Sequence, residues 1–164
     1  MPNWCENDLF VEGTSEELAR FQENMACEDK DGHHVVLSEE RLIPYPEKFR
    51  TANREDGFNQ GGYEWCLTNW GTKWGFCGVE LVGSKRTTEG IDELSGGYFQ
   101  LKYTFNTAWS PPEPLIERMG ELYPNLMFDL RYYERGSGFK GRLLVENGEV
   151  VEETQESYSG GRGG

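Results

Sequence analysis

Apolar and polar residues alternate along three stretches of this 164-residue chain, and the alternation predicts three β-strands. Residues 98–105 carry apolar or aromatic side chains at every odd position, with Tyr98 and Lys102 on the other side. Residues 126–133 alternate in the same way and place Arg131 and Tyr133 on the polar side. A shorter strand is predicted at residues 8–12. Each strand therefore has one buried side and one side that faces water.

Apolar residues three or four positions apart predict amphipathic helices after two of these strands. Leu18, Phe21 and Met25 form the buried stripe of the first helix, which Thr14 begins as an N-cap. In the second, Ser110 is the predicted N-cap and Pro111 the first helical residue, and Pro124 ends the helix.

Between these elements the pattern is weaker. Residues 27–34 and 50–62 are polar, which predicts loops, whereas residues 79–82 are a strand candidate. Tyr63, Leu67 and Trp70 fit one side of a short helix that ends at Gly71. Residues 139–145 and 150–155 flank Asn147-Gly148, the typical sequence of a two-residue β-hairpin turn.

The element order is strand, helix, strand, strand, helix, strand, followed by the hairpin. This order predicts an α+β fold of ferredoxin-like type: a split βαβ antiparallel sheet with two helices on one face. A long insertion follows the first helix, and the hairpin is an addition at the C-terminus. We expect one domain over residues 1–158 and a flexible Gly-rich tail at residues 159–164.

Composition narrows the possible functions. The net charge is −13, which repels phosphate backbones and makes nucleic acid an unfavourable partner. We expect no membrane segment, because no apolar run approaches the ~18 residues of a span. The N-terminus lacks a signal-peptide pattern, and the four cysteines are expected to be free thiols. These features predict a location in the cytoplasm.

Catalytic and cofactor motifs are weak. Both histidines lie next to each other in a polar loop, and no nucleophile pattern accompanies them, so we name no catalytic residue. We also expect no cofactor and no metal site, since Cys66 and Cys77 lack zinc-knuckle spacing. Residues 136–141 match G-x-G-x-x-G, but strands flank the motif on both sides, which indicates a turn rather than a dinucleotide site.

Tryptophan, asparagine and lysine recur in three segments that could form a ligand site. Indole rings stack on planar ligands, amides read polar edges, and Lys73 can meet an anion. Ser110 lies where a strand meets the second helix, and backbone N–H groups at such a junction favour an anion. The alternative is a Trp-rich core with Lys73 at its rim. The candidate ligand-binding residues are Trp4, Asn7, Asn69, Trp70, Lys73, Trp74, Trp109 and Ser110.

A second candidate site is the polar face of the sheet. Tyr98 and Tyr133 could stack on bases, as aromatic residues do on RNA-recognition sheets, with Lys102 and Arg131 beside them. The acidic net charge weighs against this alternative.

Several segments resemble the YubB-like proteins carried by phages, conjugative plasmids and some bacterial genomes. They are Asn3-Trp4-Cys5-x-Asn7, Trp70-Gly71-Thr72-Lys73-Trp74, Ala108-Trp109-Ser110-Pro111-Pro112, Tyr123-Pro124 and Tyr132-Tyr133-Glu134. The resemblance implies a ferredoxin-like C-terminal part and a mobile-element setting, and it implies no catalytic residue.

These observations favour a non-enzymatic binding protein of phage or plasmid type. It could act as a counter-defence inhibitor, either by occluding a basic host protein or by capturing a small planar anionic ligand such as a nucleotide. Acidic stretches within residues 12–40 and 146–156 are the predicted contacts for a protein partner. The alternatives are an enzyme acting on nucleotides or nucleic acid, and RNA binding through the sheet face.

Overall fold

The structure, a computed structural model, describes residues 2–50, 58–82, 91–95 and 97–158. The strands are β1 (Trp4–Thr14), β2 (Cys27–Glu28), β3 (His34–Val35), β4 (Cys77–Val82), β5 (Ile91–Ser95), β6 (Tyr98–Ala108), β7 (Met127–Glu134), β8 (Phe139–Glu146) and β9 (Glu149–Ser157). The helices are α1 (Ser15–Met25), α2 (Tyr63–Asn69) and α3 (Glu113–Leu122). The insertion also contains two short 3₁₀ turns, Glu39–Arg41 and Glu47–Phe49, and a π-helical turn, Phe58–Gly62.

Among the described residues, the main sheet is antiparallel in the order β4-β6-β1-β7-β8-β9, and β5 pairs with β6 beside β4. The two central strands, β1 and β6, are paired along their whole length from Trp4–Ala108 to Thr14–Tyr98. This is the strand arrangement of a split βαβ domain, with β8 and β9 added beyond β7. Neither of the two strands of the insertion, β2 and β3, joins the main sheet.

The hydrophobic core lies between one face of the sheet and helices α1 and α3. Phe21 of α1 contacts Tyr103 and Phe128, and Gly120 of α3 abuts Val145. The sheet side chains on this face, including Leu9, Val11, Leu101, Leu130 and Leu143, are buried. Alternation in the sequence identified this face because every second side chain of a half-buried strand enters the core.

Several local predictions needed correction. Tyr63 and Leu67 are exposed, whereas Cys66 and Trp70 are buried, so α2 presents a different side to the core than its apolar residues indicated. The predicted strand at residues 8–12 extends over Trp4–Thr14. The second helix begins at Glu113, and its N-cap is Pro112 rather than Ser110.

The register also arranges the polar face of the sheet, which no described helix covers. Phe10 at its centre pairs with Lys102 of β6 and Asp129 of β7. One row further along, Asp8 pairs with Arg131, which in turn pairs with Arg142 of β8. Cations and an aromatic ring are therefore neighbours on the water-facing side.

Among the described residues, each helix is too short or too polar to cross a lipid bilayer.

Candidate functional site

The segments richest in tryptophan meet at one end of the sheet. We call this region the tryptophan end; it comprises Trp4, residues 70–74 and residues 107–110. Thr72 donates a hydrogen bond to the carbonyl oxygen of Ala108 at 2.8 Å, and Ser110 donates to that of Gly71 at 2.6 Å. These two bonds join the segment after α2 to the segment between β6 and α3.

Asn7 extends this hydrogen-bond network into the core. Its side chain is fully buried, and its Nδ2 donates to Thr107 Oγ1 and to the carbonyl oxygen of Cys5, both at 3.0 Å. Thr107 donates in turn to the carbonyl oxygen of Ser110 at 2.7 Å. Burial raises the pKa of the Cys5 thiol to about 12, so this thiol stays protonated and unreactive at neutral pH. Asn7 and Ser110 thus act here as structural links.

Three tryptophans of this region are at least partly accessible. The rings of Trp4 and Trp74 meet edge to face with centroids 6.3 Å apart, and the Lys73 ammonium lies 4.9 Å from the Trp74 ring centroid. Trp109 is exposed and has a positive φ of 71°, which is a strained conformation for a bulky residue. The backbone N–H of Trp109 donates a hydrogen bond to the carbonyl oxygen of Asn3, which helps to hold the residue in this conformation.

Trp70 and Asn69 point elsewhere. Trp70 is buried in an aromatic cluster with Tyr45 and Trp65, and its indole N–H donates to the carbonyl oxygen of Ile43 at 2.8 Å. Asn69 donates to the carbonyl oxygen of Trp65 within α2. The structure therefore does not bring Trp70 or Asn69 to the accessible indoles.

The predicted anion site at the start of the second helix is not formed as expected. Pro111, Pro112 and Pro114 have no backbone N–H, and the N–H groups of residues 115 and 116 donate to the carbonyl oxygen of Pro112. Among the first four residues of this helix, Glu113 is the one whose backbone N–H is neither absent nor donated to Pro112. Its own side chain is negatively charged, which disfavours an anion there. The prolines that favour helix initiation also remove the donors that an anion needs.

The Gly-rich turn between β7 and β8 binds the side-chain carboxylate of Glu134. Glu134 is fully buried, and its two carboxylate oxygens accept hydrogen bonds from the N–H groups of Gly136 and Ser137, both at 2.6 Å. Gly138 has a φ of +74°, which favours glycine in this turn, and its N–H donates to the carbonyl oxygen of Glu134. The structure thus shows a turn closed by its own side chain.

The two candidate stacking residues of the sheet face are far apart. Tyr133 pairs with Glu6, which pairs with Asn106, and Tyr98 lies eight residues from Asn106 along β6, about 27 Å at the rise of a strand. Tyr98 is 58% exposed, whereas Tyr133 is nearly buried and contacts the Tyr158 ring. Adjacent bases could not stack on both.

Cations converge between these two tyrosines. Arg131 and Lys102 lie on either side of Phe10, at 5.2 and 5.3 Å from its ring centroid. Arg142 makes a two-point contact with the carboxylate of Asp129 at 2.8 and 3.0 Å, and Arg131 binds the same carboxylate at 3.1 Å. Burial raises the pKa of Asp129, but the hydrogen bonds from the two arginines outweigh this effect and lower it overall.

Beside these residues lies a cleft of about 300 Å³, which we call the sheet-face cleft. Its lining residues are Arg131, Tyr133, Lys140, Gly141, Arg142, Thr154 and Glu156.

A second cavity, of about 550 Å³, lies between the insertion and β4, and we call it the insertion cavity. Burial raises the pKa of Glu39 on its wall, but this carboxylate packs against Gly75 and accepts a hydrogen bond from the N–H of Phe76. Glu40 accepts from the N–H of Tyr45 and pairs with Arg50. Glu39 therefore joins the insertion to the segment before β4, whereas Glu40 makes its contacts within the insertion. Neither cavity is lined by a tryptophan.

The described cysteines are free thiols. Within the described ranges, Asp29, Asp31 and His33 are the one group of potential metal ligands that lie close together, and all three are exposed. Hydrogen bonds from the N–H groups of His33 and Asp31 lower the pKa of Asp29.

Asp129, Lys140 and Arg142 are not among the site residues that the sequence predicted. Lys140 and Arg142 could have been found from the sequence, because alternation along β8 places both on the water-facing side of the strand. A four-residue connection between residues 134 and 139 also fixes the pairing that brings Arg142 beside Arg131.

The element order, the antiparallel sheet and the three described helices define an α+β domain of ferredoxin-like type. Residues 87–161 match the family model described as the ferredoxin-like domain in Api92-like protein. The crystal structure of the protein Api92 from Yersinia pseudotuberculosis is similar to this chain with a TM-score of 0.57 and 10% sequence identity, over 99% of this chain and 100% of that chain. Such low identity shows the fold alone. No match was found among curated proteins.

Proposed function

We propose that this protein is a non-enzymatic binding protein that occludes a basic protein partner through its edge strand β9. The observation that carries the proposal is the exposure and charge of this strand. All nine residues of β9 are exposed, and four of them are glutamates with no lysine or arginine among them. An edge strand offers unpaired N–H and C=O groups to an incoming extended segment.

The charges of β9 are only partly compensated. Glu152 pairs with Arg142 and Glu156 with Lys140, whereas Glu149 and Glu153 have no cationic partner in the described part of the chain. Glu149 also stands opposite Glu146 in the hairpin, a like-charge pair that is unfavourable on its own. A basic strand added to this edge would relieve the repulsion. A second copy of the same acidic strand would increase it.

The setting of the proposal comes from the sequence. The similarity of Trp70-Gly71-Thr72-Lys73-Trp74 and Ala108-Trp109-Ser110-Pro111-Pro112 to YubB-like proteins supports a role on a phage or plasmid, in the cytoplasm of a bacterial host. Blocking a basic host protein involved in defence would suit a small acidic chain of net charge −13. No catalytic residue is needed for such a role.

Backbone NMR of the full chain during titration with a lysine–valine alternating octapeptide tests the proposal. We expect shifts of the β9 amides, and we expect binding to weaken as salt rises toward ~1 M, where the Debye length is about 3 Å. The double variant Glu149→Gln/Glu153→Gln should bind more weakly. The matched double variant Glu16→Gln/Glu23→Gln, which removes two exposed charges from α1, should bind like the unmodified protein. Unchanged β9 amides would contradict the proposal.

A further inference from the structure

The two sides of the edge strand β9 differ in how their charges are compensated. On the side that no described helix covers, two glutamates form ion pairs with cations of β8: Glu152 with Arg142 at 3.2 Å and Glu156 with Lys140 at 3.4 Å. Glu153 is the cross-strand partner of Leu143, whose side chain is in the core, so Glu153 lies on the side of the helices. It makes no ion pair within the described part of the chain. The compensated glutamates and the uncompensated one therefore face opposite ways.

Helix α3 brings two further glutamates to the side of Glu153. The hydroxyl group of Tyr132 connects α3 to β9, because it lies 3.4 Å from Glu113 Oε1 and 3.4 Å from the carbonyl oxygen of Thr154. Glu117 follows one helical turn after Glu113. Burial raises the pKa of Glu113, and the negative charges of Glu153 and Glu117 add to this effect. We call these three carboxylates the helix-side acidic surface.

The negative charge of the helix-side acidic surface is not neutralised by any described residue. Arg118 is the one cation of α3, and it pairs with Glu121 at 2.9 Å. None of the ion pairs in the described ranges involves Glu113, Glu117 or Glu153. Glu113 and Glu117 are also four residues apart on one helix, a spacing at which like charges repel. A positive group placed between α3 and β9 would relieve this repulsion.

A β-bulge limits the part of β9 that can pair with an added strand. Val150 and Glu152 pair with adjacent residues of β8, so Val151 is an extra residue without a partner of its own. Bulges increase the local twist and interrupt regular pairing at a sheet edge. The regular edge therefore runs over residues 152–157 and includes Glu153. A strand added there would direct every second side chain toward the helix-side acidic surface.

We propose that β9 selects an extended basic segment whose lysine or arginine side chains occupy alternate positions and contact Glu113, Glu117 and Glu153. The inference rests on the proposed function and adds the sequence pattern of the partner. Side chains of the segment that face the other way meet Glu152 and Glu156, which already have cationic partners, so uncharged residues suit those positions. Consecutive basic residues would instead bring half of their charges against the cations of β8.

Two octapeptides of the same composition and charge test the pattern: one alternates lysine and valine, and the other has four lysines followed by four valines. Each is titrated into the full chain at low ionic strength, with backbone NMR as the readout. We expect the alternating peptide to bind about fivefold or more tightly than the other, with shifts in β9 and at residues 113–117. Equal affinities with shifted β9 amides would overturn this inference alone. Unchanged β9 amides with both peptides would overturn the proposed function and this inference with it.

Variants of α3 test the contact without altering β9. Glu113→Gln/Glu117→Gln should weaken binding of the alternating peptide by about fivefold or more. Glu16→Gln/Glu23→Gln removes the same number of charges from α1 and should change the affinity by less than about twofold. Equal effects of the two double variants would overturn the inference. Thermal unfolding checks that each variant keeps its fold, and Glu117→Gln alone, which alters an exposed side chain, should still weaken binding by about twofold.

Discussion

The tryptophan end and the sheet-face cleft are both built from polar and aromatic side chains, but their hydrogen bonds end on different partners. At the tryptophan end, Thr72 and Ser110 donate to backbone carbonyls, so the contacts fix the path of the chain. Beside the cleft, the carboxylate of Asp129 accepts hydrogen bonds from Arg131 on its own strand, β7, and from Arg142 on β8. The first region therefore fixes the path of the backbone, whereas the second fixes the positions of charged side chains on the surface of the sheet.

The largest effect is expected for Gly71→Ala. Gly71 has a φ of +76°, and an added Cβ would lie 2.5 Å from Cδ of Pro114. The left-handed conformation and the steric conflict together should lower the free energy of unfolding by about 3 kcal/mol, measured by urea denaturation. Gly32→Ala is the matched control, since Gly32 has a φ of +79° with nothing within 4 Å, and it should cost only about 1 kcal/mol. Equal losses would mean that close packing of the tryptophan end contributes nothing.

An intermediate effect is expected for Asp129→Asn in the cleft. Loss of the charged acceptor should lower stability by about 2 kcal/mol at neutral pH, because two guanidinium groups lose their shared partner. The folded pKa of Asp129 is lower than its ordinary value of 3.8, so its stabilising contribution is present above that value and disappears as the pH falls through the folded pKa. Urea denaturation of both proteins across the acidic range should show their difference shrinking. A difference that stays constant with pH would contradict this assignment.

The smallest effect is expected for Lys102→Gln. Lys102 contacts the ring of Phe10 and makes no ion pair among the described residues, so its loss should cost about 0.5 kcal/mol in thermal unfolding. A loss above about 2 kcal/mol would show that the cations of the open face are structural after all and would remove the contrast with the tryptophan end.

The main elements could be predicted from the sequence because buried side chains recur at every second position of a half-buried strand and at every third or fourth position of a helix. The strands predicted at residues 98–105 and 126–133 are observed as Tyr98–Ala108 and Met127–Glu134. Thr14 caps α1, because its side chain accepts a hydrogen bond from the N–H of Glu17. Position along the chain could not reveal that Ser110 turns toward Gly71 instead of capping a helix, because that bond joins residues far apart in sequence.

The candidate sites were harder to predict for the same reason. Trp4, Trp74 and Lys73 come together, but Trp70 enters a separate aromatic cluster whose members come from the weakly patterned insertion. Arg131 was predicted only from its position on the polar side of the alternating strand. Its partners Asp129 and Arg142 follow only from the strand register, which a single sequence does not specify.

The buried carboxylate of Glu134 has a consequence for competition between anions. Because it is covalently attached two and three residues from the N–H groups it binds, it is present there at an effective concentration that a dissolved phosphate ion cannot approach. The N–H groups of this turn are therefore permanently occupied by an internal ligand and are closed to a dissolved anion.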